Sequence, residues 1–173
     1  MHITNIPSAG YLWCHIPKEI KSGSHSTSAK MDPRDFLTLA KKLSSAKSPA
    51  ELRTAISRAY YSVFNFARDI INNLGYSINE GPNAHGDIKN QLSNSSDDEL
   101  KQVGSNFGTL HTHRIRADYV LQDRNSENPN TARFLIALAD SMIVVLDSHV
   151  KDKAKKQQFK KTLQDYKQKT RPS

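Results

Sequence analysis

Between positions 111 and 119 the chain reads His111-Thr112-His113-Arg114-Ile115-Arg116-Ala117-Asp118-Tyr119, which gathers imidazoles, guanidiniums, a carboxylate and a phenol in one short stretch. Histidine gives and takes protons near neutrality, and the planar fork of arginine matches a phosphate or carboxylate. Together they point to two chemistries. One is holding an anion; the other is moving a proton at a phosphate while the guanidinium offsets the developing charge. On a helix, Phe107, Leu110, Ala117 and Leu121 define a core-facing stripe, and Arg114 falls inside it or at its edge, with His111 at i−3 and Asp118 at i+4. A guanidinium aimed at a core is costly unless it is paired. Two readings follow. In the first, an Arg114–Asp118 ion pair locks the helix, with His111 as a polar neighbour. In the second, Arg114 holds a phosphate and a histidine shuttles the proton.

His113 and Arg116 fall on the opposite side of this helix, toward solvent. His85, at the start of a weaker helical stretch, either joins the central polar cluster or caps its own helix. Tyr60 belongs to the buried stripe of the aromatic-rich Tyr60-Tyr61-Ser62-Val63-Phe64, whose rings on several faces call for surrounding neighbours or a subunit interface. A metal site from His111, His113 and Asp118 is not expected, because histidines two apart on a helix diverge. No Gly-x-Ser-x-Gly, His-x-Glu or phosphate-loop motif occurs, so no cofactor is expected either.

The charge balance looks at first like a nucleic-acid signature: 173 residues carry +8 with a pI near 9.6. Its distribution says otherwise. Residues 31–150 hold 13 basic and 14 acidic side chains, whereas residues 151–173 hold nine basic and two acidic ones. The body is nearly neutral, and a run of lysines at a helix C-terminus complements the helix dipole without any nucleic acid. The length suits one domain with a real core. The single cysteine, Cys14, excludes an internal disulfide and a zinc knuckle. The longest apolar run, Phe134 to Ala139, is too short to span a bilayer, and the N-terminus lacks the charged and apolar regions of a secretory signal. A cytoplasmic protein without a membrane segment is expected.

The elements that must position these residues are helical. Residues 1–30, broken by Pro7, Gly10, Pro17 and Gly23, read as an irregular leader that includes His2, His15 and His25. Asp32-Pro33 opens a first helix with Phe36, Leu39, Ala40 and Leu43 on one face, ending near Ser45. Ser48-Pro49-Ala50-Glu51 reads as a capping box, followed by a stripe of Leu52, Ile56, Tyr60, Val63, Ala67, Ile70 and Leu74 that Gly75 stops. A short helix is expected over about 84–92. Ser96 with Glu99 caps a segment through about Val103, and Phe107 to Leu121 forms another helix. Asn130 caps the last one, with Leu135, Leu138, Ala139, Met142, Val145 and Leu146 inside. No strand alternation appears, so the expected fold is an all-α, antiparallel up-and-down bundle of four to five helices over 31–150. A basic helical extension over 151–173 follows, with a solvated, fraying end.

Two of these segments resemble a known family. Ser57-Arg58-Ala59-Tyr60-Tyr61-Ser62-Val63-Phe64 is similar to the hallmark helix of HEPN domains (higher eukaryotes and prokaryotes nucleotide-binding), and Arg114-Ile115-Arg116-Ala117-Asp118-Tyr119 resembles their later Arg-x-x-Ala-Asp-Tyr segment. The start Asp32-Pro33-Arg34-Asp35-Phe36 is similar as well, so the resemblance covers residues 31–150. It implies a helical bundle, commonly a homodimer, of the kind found in toxin–antitoxin or defence loci beside a nucleotidyltransferase or antitoxin partner, and many members are metal-independent ribonucleases. Their site pairs an Arg with a His four to six residues later. Here no Arg is followed by His at that spacing, and Ala117 stands where ribonuclease members place the His. The resemblance therefore implies a degenerate module that binds RNA, a nucleotide or a partner protein, with Arg116, Asp118, Tyr119, His85, His113 and Tyr60 as contact residues. Two alternatives stand beside it: an active endoribonuclease toxin using His111 or His113 with Arg114, and a structural interaction protein that recognises its target through the basic tail.

Overall fold

The computed structural model describes residues 30–78 and 81–170, so the reading of residues 1–29 as an irregular leader, with its three histidines, lies outside the described residues. The described chain is an all-α bundle. It comprises α1 (Arg34–Leu43), α2 (Pro49–Asn73), α3 (Ala84–Ser93), α4 (Asp98–Tyr119), a short 3-10 turn (Arg124–Glu127), α5 (Pro129–Lys151) and α6 (Lys153–Lys169). Among the described residues no helix is long and apolar enough to cross a membrane.

The central element is α2, packed against α1, α4 and α5. Its stripe is buried as expected, and Ala55, Phe64 and Ile71 widen it, because a helix surrounded on three sides buries more than one face. Pro49 takes the first helical position, but the Ser48–Glu51 capping box is not made. The other end closes as the sequence indicates. Gly75 adopts φ 92°, its N–H bonds to Asn72 O at 3.0 Å, and the Tyr76 N–H bonds to Ile71 O at 3.1 Å, which is a Schellman closure that glycine alone enters without strain.

Elsewhere the expected caps shift. At α1, Asp32 Oδ1 accepts from the Arg34 N–H at 2.9 Å, but Leu37 rather than Leu39 is buried with Ala40, and Leu39 is exposed. At α5, Asn128 rather than Asn130 is the cap, accepting from the Asn130 N–H at 2.8 Å ahead of Pro129. The largest difference is α4. The expected break after Val103 does not occur; one helix runs from Asp98 to Tyr119, capped by Asp97, whose Oδ1 accepts from the Leu100 N–H at 3.0 Å. Ser96 is not the cap. Gly104, which weakens the helix signal locally, is needed for another reason: a Cβ there would lie 2.4 Å from Ser93 Oγ and 2.5 Å from Ser93 N. Only glycine lets the end of α3 approach α4 this closely.

The five helices α1–α5 make up the expected bundle, and α6 is the expected C-terminal helical extension, but that extension is not the solvated, fraying end expected of it. Asp152 interrupts the path, accepts from the Lys155 N–H at 2.8 Å and starts α6 as a separate helix. Phe159, Thr162 and Leu163 are then buried against the bundle, while Lys156, Lys161 and Lys167 remain in solvent. The lysine-rich composition hid an amphipathic helix whose apolar stripe is one residue wide. Phe159→Ala should therefore cost about 3–5 kcal/mol in urea unfolding, the range for a large core side chain. A fraying tail would give no measurable change.

Candidate functional site

The site is built where α2, α3 and α4 meet, and a single buried side chain fixes its frame. Arg53, only 8% exposed, donates from Nη1 to the carbonyls of Ala117 (3.0 Å) and Val120 (3.1 Å) and from Nη2 to those of Leu121 and Asp123 (both 3.0 Å). Its charge is met by Glu127 at 3.0 Å. The last carbonyls of a helix have no partner within it, and this one guanidinium supplies them for α4 from the neighbouring helix. Sequence reasoning gave Arg53 no role, although a cation one position after the core residue Leu52 is the available signal.

The cluster lies two turns along α2 from Arg53 and one turn back along α4 from Ala117. Arg114 is buried at 6% exposure, with its guanidinium carbon 5.2 Å from the centre of the Tyr60 ring and 5.5 Å from that of Tyr61, both within cation–π range. The Tyr60 ring in turn lies 5.6 Å from His85 and 5.4 Å from His111, and the two imidazoles stack at 5.2 Å with planes 22° apart. Phe64 covers His85 at 4.4 Å. The α3 residue His85 thus joins the polar cluster rather than capping its helix. The Arg114–Asp118 ion pair is not made: Asp118 is exposed and accepts from Ser57 Oγ at 3.3 Å. Arg114 Nε is buried without a hydrogen-bond partner, and no carboxylate among the described residues pairs with this guanidinium.

Of the other residues singled out in the sequence, His113 faces Arg116 and Asp123 instead of Arg114, and Tyr119 is exposed at the end of α4. These residues, with Arg116, stand apart from the stacked rings. Of the two histidines considered beside Arg114, His111 is the one that feels its charge.

Electrostatics follow from the neighbours. Burial pushes the Tyr60 phenol far above its ordinary pKa, only partly opposed by Arg114, so it stays protonated. Burial, then the adjacent His111 and Arg114, hold His85 below the usual histidine value; burial, Arg114 and Lys89 do the same for His111. Tyr60 Oη and His85 Nδ1 are 2.5 Å apart. With the phenol protonated and the imidazole neutral, Tyr60 is assigned as donor and Nδ1 as acceptor, which leaves the His85 proton on Nε2, free to donate. Around these rings stand Arg58, 5.2 Å from Tyr61, and Arg68, 5.3 Å from Phe64. Arg58, Arg68, Lys89 and Arg114 make a local cationic collar within a neutral domain. Tyr60 and Arg114 are buried, whereas the His85 and His111 rings are half-buried and reach the surface. Such an arrangement suits an anion presented from outside.

Comparison with family models, with curated proteins and with solved structures finds no match to this chain.

Because His85, His111 and His113 all sit below 6.5 when folded, the unfolded chain binds more protons just under that pH. Stability from these groups is complete above about 6.5 and is lost as the pH falls toward their folded values. Thermal unfolding should show a lower Tm at about pH 5.5 than at about pH 7.5, roughly one unit either side of the free histidine pKa, and a smaller difference in the His85→Gln, His111→Gln double variant. A wild-type chain more stable at the lower pH contradicts the arrangement.

Proposed function

We propose that residues 31–150 are a HEPN-type helical module, of the kind associated with prokaryotic toxin–antitoxin or defence systems, and that the Tyr60/His85/His111/Arg114 cluster binds a phosphate of RNA or of a nucleotide. The observation that carries this reading is a buried Arg114 guanidinium with an unpartnered Nε and no ion-paired carboxylate, set against the Tyr60 and Tyr61 rings. A buried charge without a counter-ion is expensive, and a phosphate supplied from outside offsets that cost while taking hydrogen bonds from Arg114 and from Nε2 of His85. The half-buried His85 and His111 rings give a backbone phosphate access to the cluster from outside. The family resemblance adds a homodimer, and the exposed apolar side chains Ile115, Val120 and Leu121 at the end of α4, with Phe134 and Val144 on α5, offer surface for such a pairing.

Cleavage is the second reading, and one observation favours it: His85 brings a second imidazole beside His111 and Arg114. One neutral imidazole would take the 2′-hydroxyl proton, the other, once protonated, would deliver a proton to the leaving oxygen, and Arg114 would offset charge on the phosphorane. The reading in which the C-terminal lysines recognise the target uses the exposed face of α6, and substitutions there rather than removal of the helix test it, since truncation takes Phe159 and Leu163 from the core.

Fluorescence anisotropy with a single-stranded RNA oligonucleotide at several salt concentrations separates these readings. Arg114→Gln should weaken binding by about tenfold or more, the worth of one charge-assisted contact, whereas Lys156→Gln with Lys161→Gln should leave most of the affinity. Loss in the α6 variant and none in Arg114→Gln would overturn the proposal in favour of tail recognition. In the presence of EDTA, RNA cleavage abolished by His85→Gln or His111→Gln but retained in His113→Ala would establish the catalytic reading.

A further inference from the structure

Away from this cluster, the N-terminus of α4 meets the C-terminal turn of α5 at a second group of titratable side chains. His149 is fully buried, with Phe159 edge-on to its ring at 6.3 Å. Its Nδ1 lies 2.8 Å from the Val145 carbonyl. A carbonyl only accepts, so Nδ1 carries a proton, and Nε2 is the atom left to face the rest of the site. That atom is buried, makes no hydrogen bond, and points at Asp97 Oδ2 (3.4 Å) and Glu99 Oε2 (3.7 Å). In the neutral ring, Nε2 would present a lone pair to two carboxylates. In the charged ring it would donate, but a charge-assisted N–H···O bond closes to about 2.7–2.9 Å, and neither distance does.

The spacing fits a different occupant. Zn2+ binds His nitrogen and carboxylate oxygen at about 2.0–2.1 Å, so neighbouring ligands at a tetrahedral ion are about 3.3–3.4 Å apart. The three ligand atoms lie within 4.8 Å of one another, and the His149 to Asp97 edge is already at that length. Both remaining contacts of these residues are those a metal ligand needs. The Nδ1 proton on a backbone carbonyl orients the imidazole and directs the Nε2 lone pair outward. Asp97 divides its carboxylate, giving Oδ1 to the cap of α4 and turning Oδ2 toward His149, while its own N–H is held by Ser95 Oγ at 3.0 Å. We propose that His149 Nε2, Asp97 Oδ2 and Glu99 Oε2 form a divalent transition-metal site, suited to Zn2+, that ties the start of α4 to the end of α5 and keeps a fourth position for water. Lys155, on α6, now holds Glu99 Oε2 at 2.6 Å and is the cation the metal displaces; it is partly exposed and free to move into solvent.

The test is calorimetric titration of the EDTA-treated full chain with ZnCl2, backed by the visible spectrum of the Co2+ form. One equivalent should bind, with the absorption of four-coordinate Co2+, and raise the Tm. Asp97→Asn should weaken uptake at least a hundredfold while leaving the fold intact, because asparagine caps a helix as well as aspartate does. Lys155→Ala, which removes the competing cation, should tighten it, and the His85→Gln, His111→Gln double variant should leave it unchanged. Absence of uptake by the wild type, or uptake that survives Asp97→Asn, or uptake that is lost with His85 and His111, overturns the proposal.

Discussion

The contact on which the site depends is the one Arg53 makes with the end of α4. A helix terminus leaves several carbonyls without partners, and in this chain a cation from α2 takes them, sharing the Val120 carbonyl with the turn that follows. The same guanidinium holds Leu121 and Asp123 and is neutralised by Glu127, so helix, loop and 3-10 turn are tied at one point. That fixes the register of α4 against α2. The register then determines that Arg114 lands on the Tyr60 ring, one turn from His111, and that Gly104 meets Ser93 at the far end, which brings α3 and its His85 alongside. Removing one partner of such a network leaves buried groups unsatisfied, so Arg53 acts on the cluster without touching it.

A neutral domain with a locally positive site resolves the meaning of the net charge. The excess of basic residues over the whole chain sits at its C-terminus, where it serves α6 as a solvated face around a buried Phe159. The charge that matters at the cluster is a handful of guanidiniums held over aromatic rings, which lowers the cost of placing them there. Both histidines of the stack are held neutral by those cations and by burial, which keeps one of them able to accept a proton and the other able to donate a hydrogen bond.

How much of this was legible follows from the physics of each signal. The helical period of α2 and the left-handed glycine that stops it are local, and both were readable. So was the placement of Arg114 on the buried side of α4, because 100° per residue is enough to find it. What a period does not contain is the partner: the expected Asp118 is four residues away in sequence, whereas the groups that meet Arg114 lie on α2 and α3. The break expected between Val103 and Phe107 does not occur, and Gly104 within that stretch serves a contact with Ser93, a residue on another element. In α6 the apolar positions are too few among lysines to signal burial. Asp97, Glu99 and His149 escaped for the same reason as His85 nearly did: their proximity is tertiary, with about fifty residues of chain between the carboxylates and the imidazole.

The central claim is that the cluster on α2, α3 and α4 is an anion site, and locating an anion there tests it most directly. Crystals soaked with tungstate, a heavy analogue of phosphate, carry an anomalous signal that marks the bound position without assuming any activity. The account requires a tungstate within hydrogen-bond distance of Arg114 and of a His85 or His111 imidazole, lost in crystals of Arg114→Gln. Tungstate found only along the lysines of α6, with the cluster empty, would contradict it.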